Sequence, residues 1–224
     1  MPTHPSKTTK GLVKTKLADR LRHEIVKGSL APGERVVEGK WAVKYGVAQG
    51  SIREAINILA QDGFIRKESG RSARVINLSE ADVAHLYDLR GAMEGLAARL
   101  AAAGHPDLGN LQATVHEMRE ATLEGRRERL LDCDLQFHLE LCRLSQNPFV
   151  IEQARRILLP FFAFVRMKVT TSGQKTAVWS RDLEAHQRIV DLLREGEGEV
   201  AEQYVKRVME RFGSAAYGLW ERRA

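Results

Sequence analysis

Two stretches of this 224-residue chain carry side chains whose types and spacing could do chemistry. The first runs from Gln49 to Asp62. Gln49, Ser51, Arg53, Asn57 and Gln61 stand opposite Ile52, Ala55, Ile56 and Leu59, whose i, i+3, i+4, i+7 recurrence defines one buried helical face. The polar set is short or flexible enough to meet base edges. Arginine can grip guanine O6 and N7, and glutamine or asparagine adenine N6 and N7. The second stretch is Asp134 with His138, four residues apart, so that both share one helix face and could chelate one ion. A lone pair of this kind is also a common surface or core feature. Arg90 and Glu94 have the same spacing and read as a helix ion pair.

Each set needs elements to position it. Leu17, Leu21 and Ile25 predict a first helix from Lys14 to Gly28, behind a mobile basic arm over residues 1–13. Leu30 to Glu34 reads as a turn. Val36 to Tyr45 reads as a second helix, with Trp41 as a core anchor and Lys40 and Lys44 outward. A Gly46-Val47 turn then leads into the helix from Gln49 to Asp62, which stops at Gly63. Two helices around a tight turn make a helix-turn-helix. Phe64 to Ile76 reads as two short strands around a glycine turn, a wing with Arg71 and Arg74 at its basic tip.

Beyond Asn77 the pattern is helical throughout. Ser79 before Glu80 and Asp82 marks an N-cap. Helices are expected near 80–103, 107–125, 127–145, 147–170, 176–195 and 197–221, with Pro160 kinking or splitting the fourth of them. The fold class is therefore mainly α. A winged helix-turn-helix over 14–77 precedes an antiparallel all-helical bundle over 78–224.

Charge separates the same two parts. Residues 1–78 carry a net +8 and residues 79–224 a net −2, so only the first part has the footprint of a phosphate-binding surface. The two cysteines, Cys133 and Cys142, lie inside helical pattern, which argues against a disulfide framework and for a reducing cytoplasm. No apolar run reaches the ~20 residues that span a bilayer, and the first residues lack the apolar core of a secretory signal. No membrane partner is expected.

Pro32-Gly33-Glu34-Arg35, Tyr45-Gly46-Val47, Ile52-Arg53-Glu54-Ala55-Ile56, Leu59 and Asp62-Gly63-Phe64-Ile65 together resemble the GntR-family winged helix. Leu89-Arg90, Glu94, Leu100-Ala101-Ala102, Asp134, Phe137-His138, Asn147-Pro148, His186, Ile189 and Gly196 resemble the FCD ligand-binding domain of the FadR-type branch. The resemblance implies a homodimeric transcription regulator on a near-palindromic double-stranded operator, controlled by a small effector, often a carboxylate. It implies DNA contacts from Arg53, Gln49, Ser51, Asn57, Lys40, Lys44, Arg71 and Arg74, and effector contacts from Arg90, Asn147 and Arg166. It also implies a divalent cation on Asp134, His138 and His186, for which zinc, nickel or manganese suit the mixed nitrogen and oxygen donors.

The chain departs from the family in two places. Gln49 stands where an arginine usually opens the recognition helix, which predicts a shifted operator preference. Val208 stands where a fourth metal-binding histidine is expected, and valine cannot ligate. Two other functions compete with an acid-responsive regulator. One is a metal-dependent enzyme using Asp134, His138 and His186, and the other a regulator that responds to an acyl-CoA thioester.

Overall fold

Helices follow the apolar spacing almost throughout the computed structural model, which describes residues 7–68, 73–172 and 180–216. The chain divides into two compact units. One comprises residues 1–77 with 163–172, the other residues 78–162 with 173–224.

In the first unit, α1 (Lys7–Val26), α2 (Glu38–Tyr45) and α3 (Gln49–Gln61) precede a hairpin of β1 (Ile65–Lys67) and β2 (Ala73–Val75). Helix α1 begins seven residues before the expected Lys14, so part of the expected mobile arm is helical. Once a helix is nucleated, each added residue costs little, and Lys7 to Val13 contains no proline. Leu17, Leu21, Ile25, Trp41, Ile52, Ile56 and Leu59 form the core, as their spacing requires. Gly46 closes α2 at φ 64°, a left-handed cap that favours glycine.

The expected start of α2 at Val36 is corrected. Arg35 bridges Arg74, and Val36 N–H donates to the Ala73 carbonyl at 2.7 Å, so this segment extends the wing as a short strand. A β-branched valine with a buried side chain suits that position better than a helix start. In the hairpin Ile65 pairs Val75, Arg66 pairs Arg74 and Lys67 pairs Ala73. Ile65, Ala73 and Val75 face inward and the basic residues outward.

The second unit contains α4 (Glu80–Ala103), α5 (Gly109–Leu123), α6 (Arg127–Leu144), α8 (Ser180–Glu195) and α9 (Gly198–Ala216), with the first part of α7 (Pro148–Ser172). Ser79 caps α4 through a capping box: its Oγ accepts from Asp82 N–H at 3.1 Å, and Asp82 Oδ2 accepts from Ser79 N–H at 2.9 Å. Helices α4 and α9 run antiparallel, since Gly91 lies by Met209 and Lys206, Gly95 by Glu202, and Arg99 by Gly198. A Cβ on Gly95 would sit 3.1 Å from the Glu202 carbonyl oxygen, so glycine is what lets these backbones approach.

Pro160 does not split α7, which runs on to Ser172, two residues past its expected end at 170. Burial of Leu158, Phe161, Phe162 and Phe164 offsets the roughly 3 kcal/mol that an interior proline costs. Among the described residues, no helix is long and apolar enough to cross a membrane.

Candidate DNA-reading face and ligand pocket

On the first unit, the outward face of α3 carries the expected reading residues. Gln49 is exposed at its first turn, Ser51 and Asn57 are half-buried, and Arg53 is exposed. Asn57 accepts a hydrogen bond from Lys67 of β1 and thereby ties α3 to the wing. Arg53 makes a two-pronged contact with Glu38 of α2. Lys40 is exposed on α2, whereas Lys44 turns toward α1, with its Nζ 2.8 Å from Glu24 Oε1 and 4.5 Å from the Trp41 ring centre. The hydrogen bond from Lys44 pulls the Glu24 carboxyl below the usual range. Arg74 is not at the wing tip. It sits in β2 and donates to Glu68 Oε2 at 3.1 Å and to the Gly33 carbonyl at 3.0 Å. Arg71 lies outside the described residues.

On the second unit, three helices bring ionisable groups to one buried place. Helix α6 supplies Asp134 and His138, and α8 supplies His186. Asp134 Oδ1 stands 3.1 Å from His138 Nε2 and 3.1 Å from His186 Nε2. All three donor atoms lie within 4.8 Å of one another, so the group could hold a metal ion. The 3.1 Å separations compare with about 3.3 Å between two ligand atoms each about 2.05 Å from a tetrahedral ion.

The other ring nitrogen of His138, Nδ1, meets Glu94 Oε2 of α4, and among the described residues neither atom has a further hydrogen-bond partner. A carboxylate on Nδ1 fixes the ring so that Nε2 is the atom presented to Asp134. Phe137 lies edge-on to the His186 ring at 4.6 Å between centroids and limits its rotation.

Glu94 is shared. Its Oε1 accepts from Arg90 Nε at 2.7 Å, and the Arg90 guanidinium carbon lies 5.1–5.3 Å from the ring centres of Tyr87, Phe161 and Phe162. Burial alone would raise the Glu94 carboxyl, but Arg90 and His138 outweigh it and hold it at about 2. For Asp134 too, burial is outweighed by its two histidines, and the carboxyl lies far below its usual range. Burial would lower His138, yet Glu94 lifts it to about 8. Arg90, Asp134, His138 and His186 border a cavity of about 50 Å³, whose remaining wall is Tyr87, Ala185, Ile189, Val208, Met209 and Phe212. Cys133 and Cys142 are buried free thiols that burial pushes up, Cys133 to about 11, and neither belongs to the group of Asp134, His138 and His186.

Residues 13–75 match the bacterial regulatory proteins of the gntR family, and residues 85–211 match the FCD domain. The chain belongs to the GntR family. It is a GntR-type transcriptional regulator whose helical unit is an FCD ligand-binding domain. It is 28% identical over 200 residues to a probable D-xylose utilization operon transcriptional repressor of Paenarthrobacter nicotinovorans, covering 87% of this chain and 86% of that protein. It is 29% identical over 138 residues to the gluconate operon transcriptional repressor of Bacillus licheniformis, covering 61% and 56% respectively. The fold is similar to that of E. coli McbR/YncC (TM-score 0.77, 17% identity). It also resembles a putative GntR regulator of Rhodococcus sp. RHA1 (TM-score 0.78, 22% identity). Each comparison covers 93% of this chain and 99% of the other.

In this GntR regulator only part of the expected effector set converges. Arg90 lines the cavity with Asp134, His138 and His186. Asn147 does not line it: its Oδ1 caps α7, accepting from the backbone N–H of Phe149 at 3.0 Å and Val150 at 3.3 Å. Arg166 is not in the wall either, and belongs to the portion of α7 grouped with the other unit. Val208 does face the cavity, contributing methyl groups where a fourth ligand was sought. In the sequence Glu94 reads as a partner of Arg90 and as a position of the FCD resemblance, without its hold on His138. Ile189 enters only through the resemblance, and Tyr87, Ala185, Met209 and Phe212 do not stand out. Helical spacing points to three of the wall residues, since Tyr87 precedes Arg90 by three, Ile189 follows His186 by three and Phe212 follows Val208 by four.

Proposed function

We propose that this GntR regulator acts as a homodimer on a near-palindromic operator and that a small carboxylate metabolite in the helical unit sets its DNA affinity. The observation that carries the reading is the convergence of Arg90 with Asp134, His138 and His186 around one small buried cavity. Asp134, His138 and His186 would hold a divalent cation such as zinc, nickel or manganese, which supplies a Lewis-acidic point for a carboxylate oxygen. Arg90, already fixed by Glu94 and three aromatic rings, supplies the complementary positive edge. Val208 withholds a protein donor, leaving that wall apolar.

The size of the cavity favours one effector class. About 50 Å³ admits a small acid with a little water. A coenzyme-A thioester, larger than the drug-sized ligands that occupy about 300–1,000 Å³, would need several times that room. The pocket also reads as a binding site and not as a catalytic one. Arg90, Glu94, Asp134 and His138 neutralise one another, so none stands poised to move a proton to or from a substrate.

Control of DNA affinity requires the effector to bind two states of the regulator unequally. On the DNA side Arg53 and Gln49 read bases, and Lys40 and the wing meet phosphate.

The test is selection of bound DNA from a random pool, followed by competition with a panel of small acids, with and without metal chelation. Recovery of an inverted repeat, and an acid response lost on chelation and in Arg90→Met, supports the reading. A response to acids that survives both changes would move the effector elsewhere.

A further inference from the structure

Arg53 is the sole arginine between Gln49 and Gln61, and its guanidinium is held from one side. Glu38, in the first turn of α2, accepts from Arg53 Nε at 3.0 Å on Oε1 and 3.2 Å on Oε2, and from Nη2 at 2.8 Å on Oε2. A guanidinium has five N–H donors in a planar fork. This contact uses the Nε edge and one N–H of Nη2. It leaves both N–H groups of Nη1 and the outer one of Nη2, which form the two-pronged end that matches guanine O6 and N7.

We propose that Glu38 is a positioning residue for DNA reading, holding Arg53 so that its outer edge meets one base in each half-site. The inference rests on the reading of Arg53 as a base contact. Two physical effects follow from the carboxylate. It removes rotamer freedom that Arg53 would otherwise lose on binding, which favours the correct sequence. It also places a negative charge near the phosphates, which weakens binding to every sequence alike. The first effect widens the gap between specific and non-specific DNA and the second leaves that gap unchanged, so Glu38 contributes to specificity while lowering general affinity.

The experiment uses the full chain and the duplex that wild-type protein selects, together with all single-base variants of one half-site and an unrelated duplex. Binding is measured at one salt concentration for wild type, Glu38→Gln, Arg53→Ala and the double variant. Glu38→Gln is expected to lose about tenfold in preference at one base position, while its affinity for the unrelated duplex stays level or rises. Adding Glu38→Gln to Arg53→Ala should change no preference further. A fraction of unfolded protein would lower affinity for all duplexes equally and leave preference untouched, so the readout survives a weakly folding variant. If Arg53→Ala flattens the preference but Glu38→Gln does not, the positioning role is wrong and the base contact stands. If Arg53→Ala weakens all duplexes equally, Arg53 is a phosphate contact and both fall.

Discussion

Arg53–Glu38 in the DNA-binding unit and Arg90–Glu94 in the FCD unit join the same two side chains in opposite surroundings. The first pair is open, its side chains 58% and 23% exposed; the second is enclosed, at 3% and 0%. Water screens the open pair, so it contributes little to stability, and its outer donors remain available to an incoming ligand. The enclosed pair has given up its hydration, and Glu94 must satisfy Arg90 and His138 together. On the proposed DNA-reading face the charges stay near solvent, where they can exchange partners. The ligand pocket builds its charges into the core, where each depends on the others.

Removing the shared carboxylate tests that dependence most severely. Glu94→Ala leaves the Arg90 guanidinium and His138 without their buried counter-charge, and is expected to destabilise the FCD unit by about 3–5 kcal/mol. Denaturant unfolding followed by helical circular dichroism measures it. A loss below about 1 kcal/mol would mean that water reaches Glu94, and the contrast between the two pairs would collapse.

A gentler change sharpens the same point for the metal. Glu94→Gln preserves shape but weakens the hold on His138 Nδ1, and should loosen a divalent cation about 10- to 100-fold. Val208→His puts a nitrogen donor back into the cavity wall and should tighten the ion by roughly tenfold or more. Competition against a chromophoric chelator reads both. Equal affinities in wild type, Glu94→Gln and Val208→His would remove the metal from the pocket.

The two regions also differ in how far the sequence disclosed them. Helix α3 and its buried face were legible because a single local period sets them, and Ile52, Ala55, Ile56 and Leu59 are all buried as that period requires. The i, i+4 pairs Arg90–Glu94 and Asp134–His138 were legible for the same reason. What joins them was not: Glu94 meets His138 across two helices 44 positions apart, and no period along the chain reports that contact. Asn147 was misjudged because a cap and a ligand use the same amide oxygen, and only the backbone N–H groups of Phe149 and Val150 tell them apart. Val36 was drawn into a helix because its bond to Ala73 comes from a strand 37 residues away. For Glu94 and Val36 the determinant is long-range, whereas for Asn147 it is local but the same oxygen suits two uses.

On the open side, a substitution should change recognition without touching the core. Gln49 is exposed at the first turn of α3, so Gln49→Arg is expected to leave stability unchanged. It should shift the selected base at one position per half-site toward guanine, with about 1–3 kcal/mol of discrimination. Selection from a random pool, run in parallel with wild type, measures the shift. An unchanged consensus would show that position 49 does not reach a base edge.

The smallest expected effect is the most direct counterpart to Glu94→Ala. Glu38→Ala deletes a carboxylate from an arginine just as Glu94→Ala does, yet Arg53 can turn to water where Arg90 cannot. Its cost in unfolding free energy should stay below about 1 kcal/mol, and the small remainder should shrink further as salt is raised. Denaturant melts at low and high ionic strength provide the measurement. A loss near that of Glu94→Ala would mean that the Glu38 contact fastens α2 to α3 and belongs to the architecture. A loss within error, together with flattened base preference, would mean that one ion pair can be almost silent in stability and still decide what the protein reads. The enclosed pair does not allow that separation, because any change to Glu94 alters the fold and the pocket together.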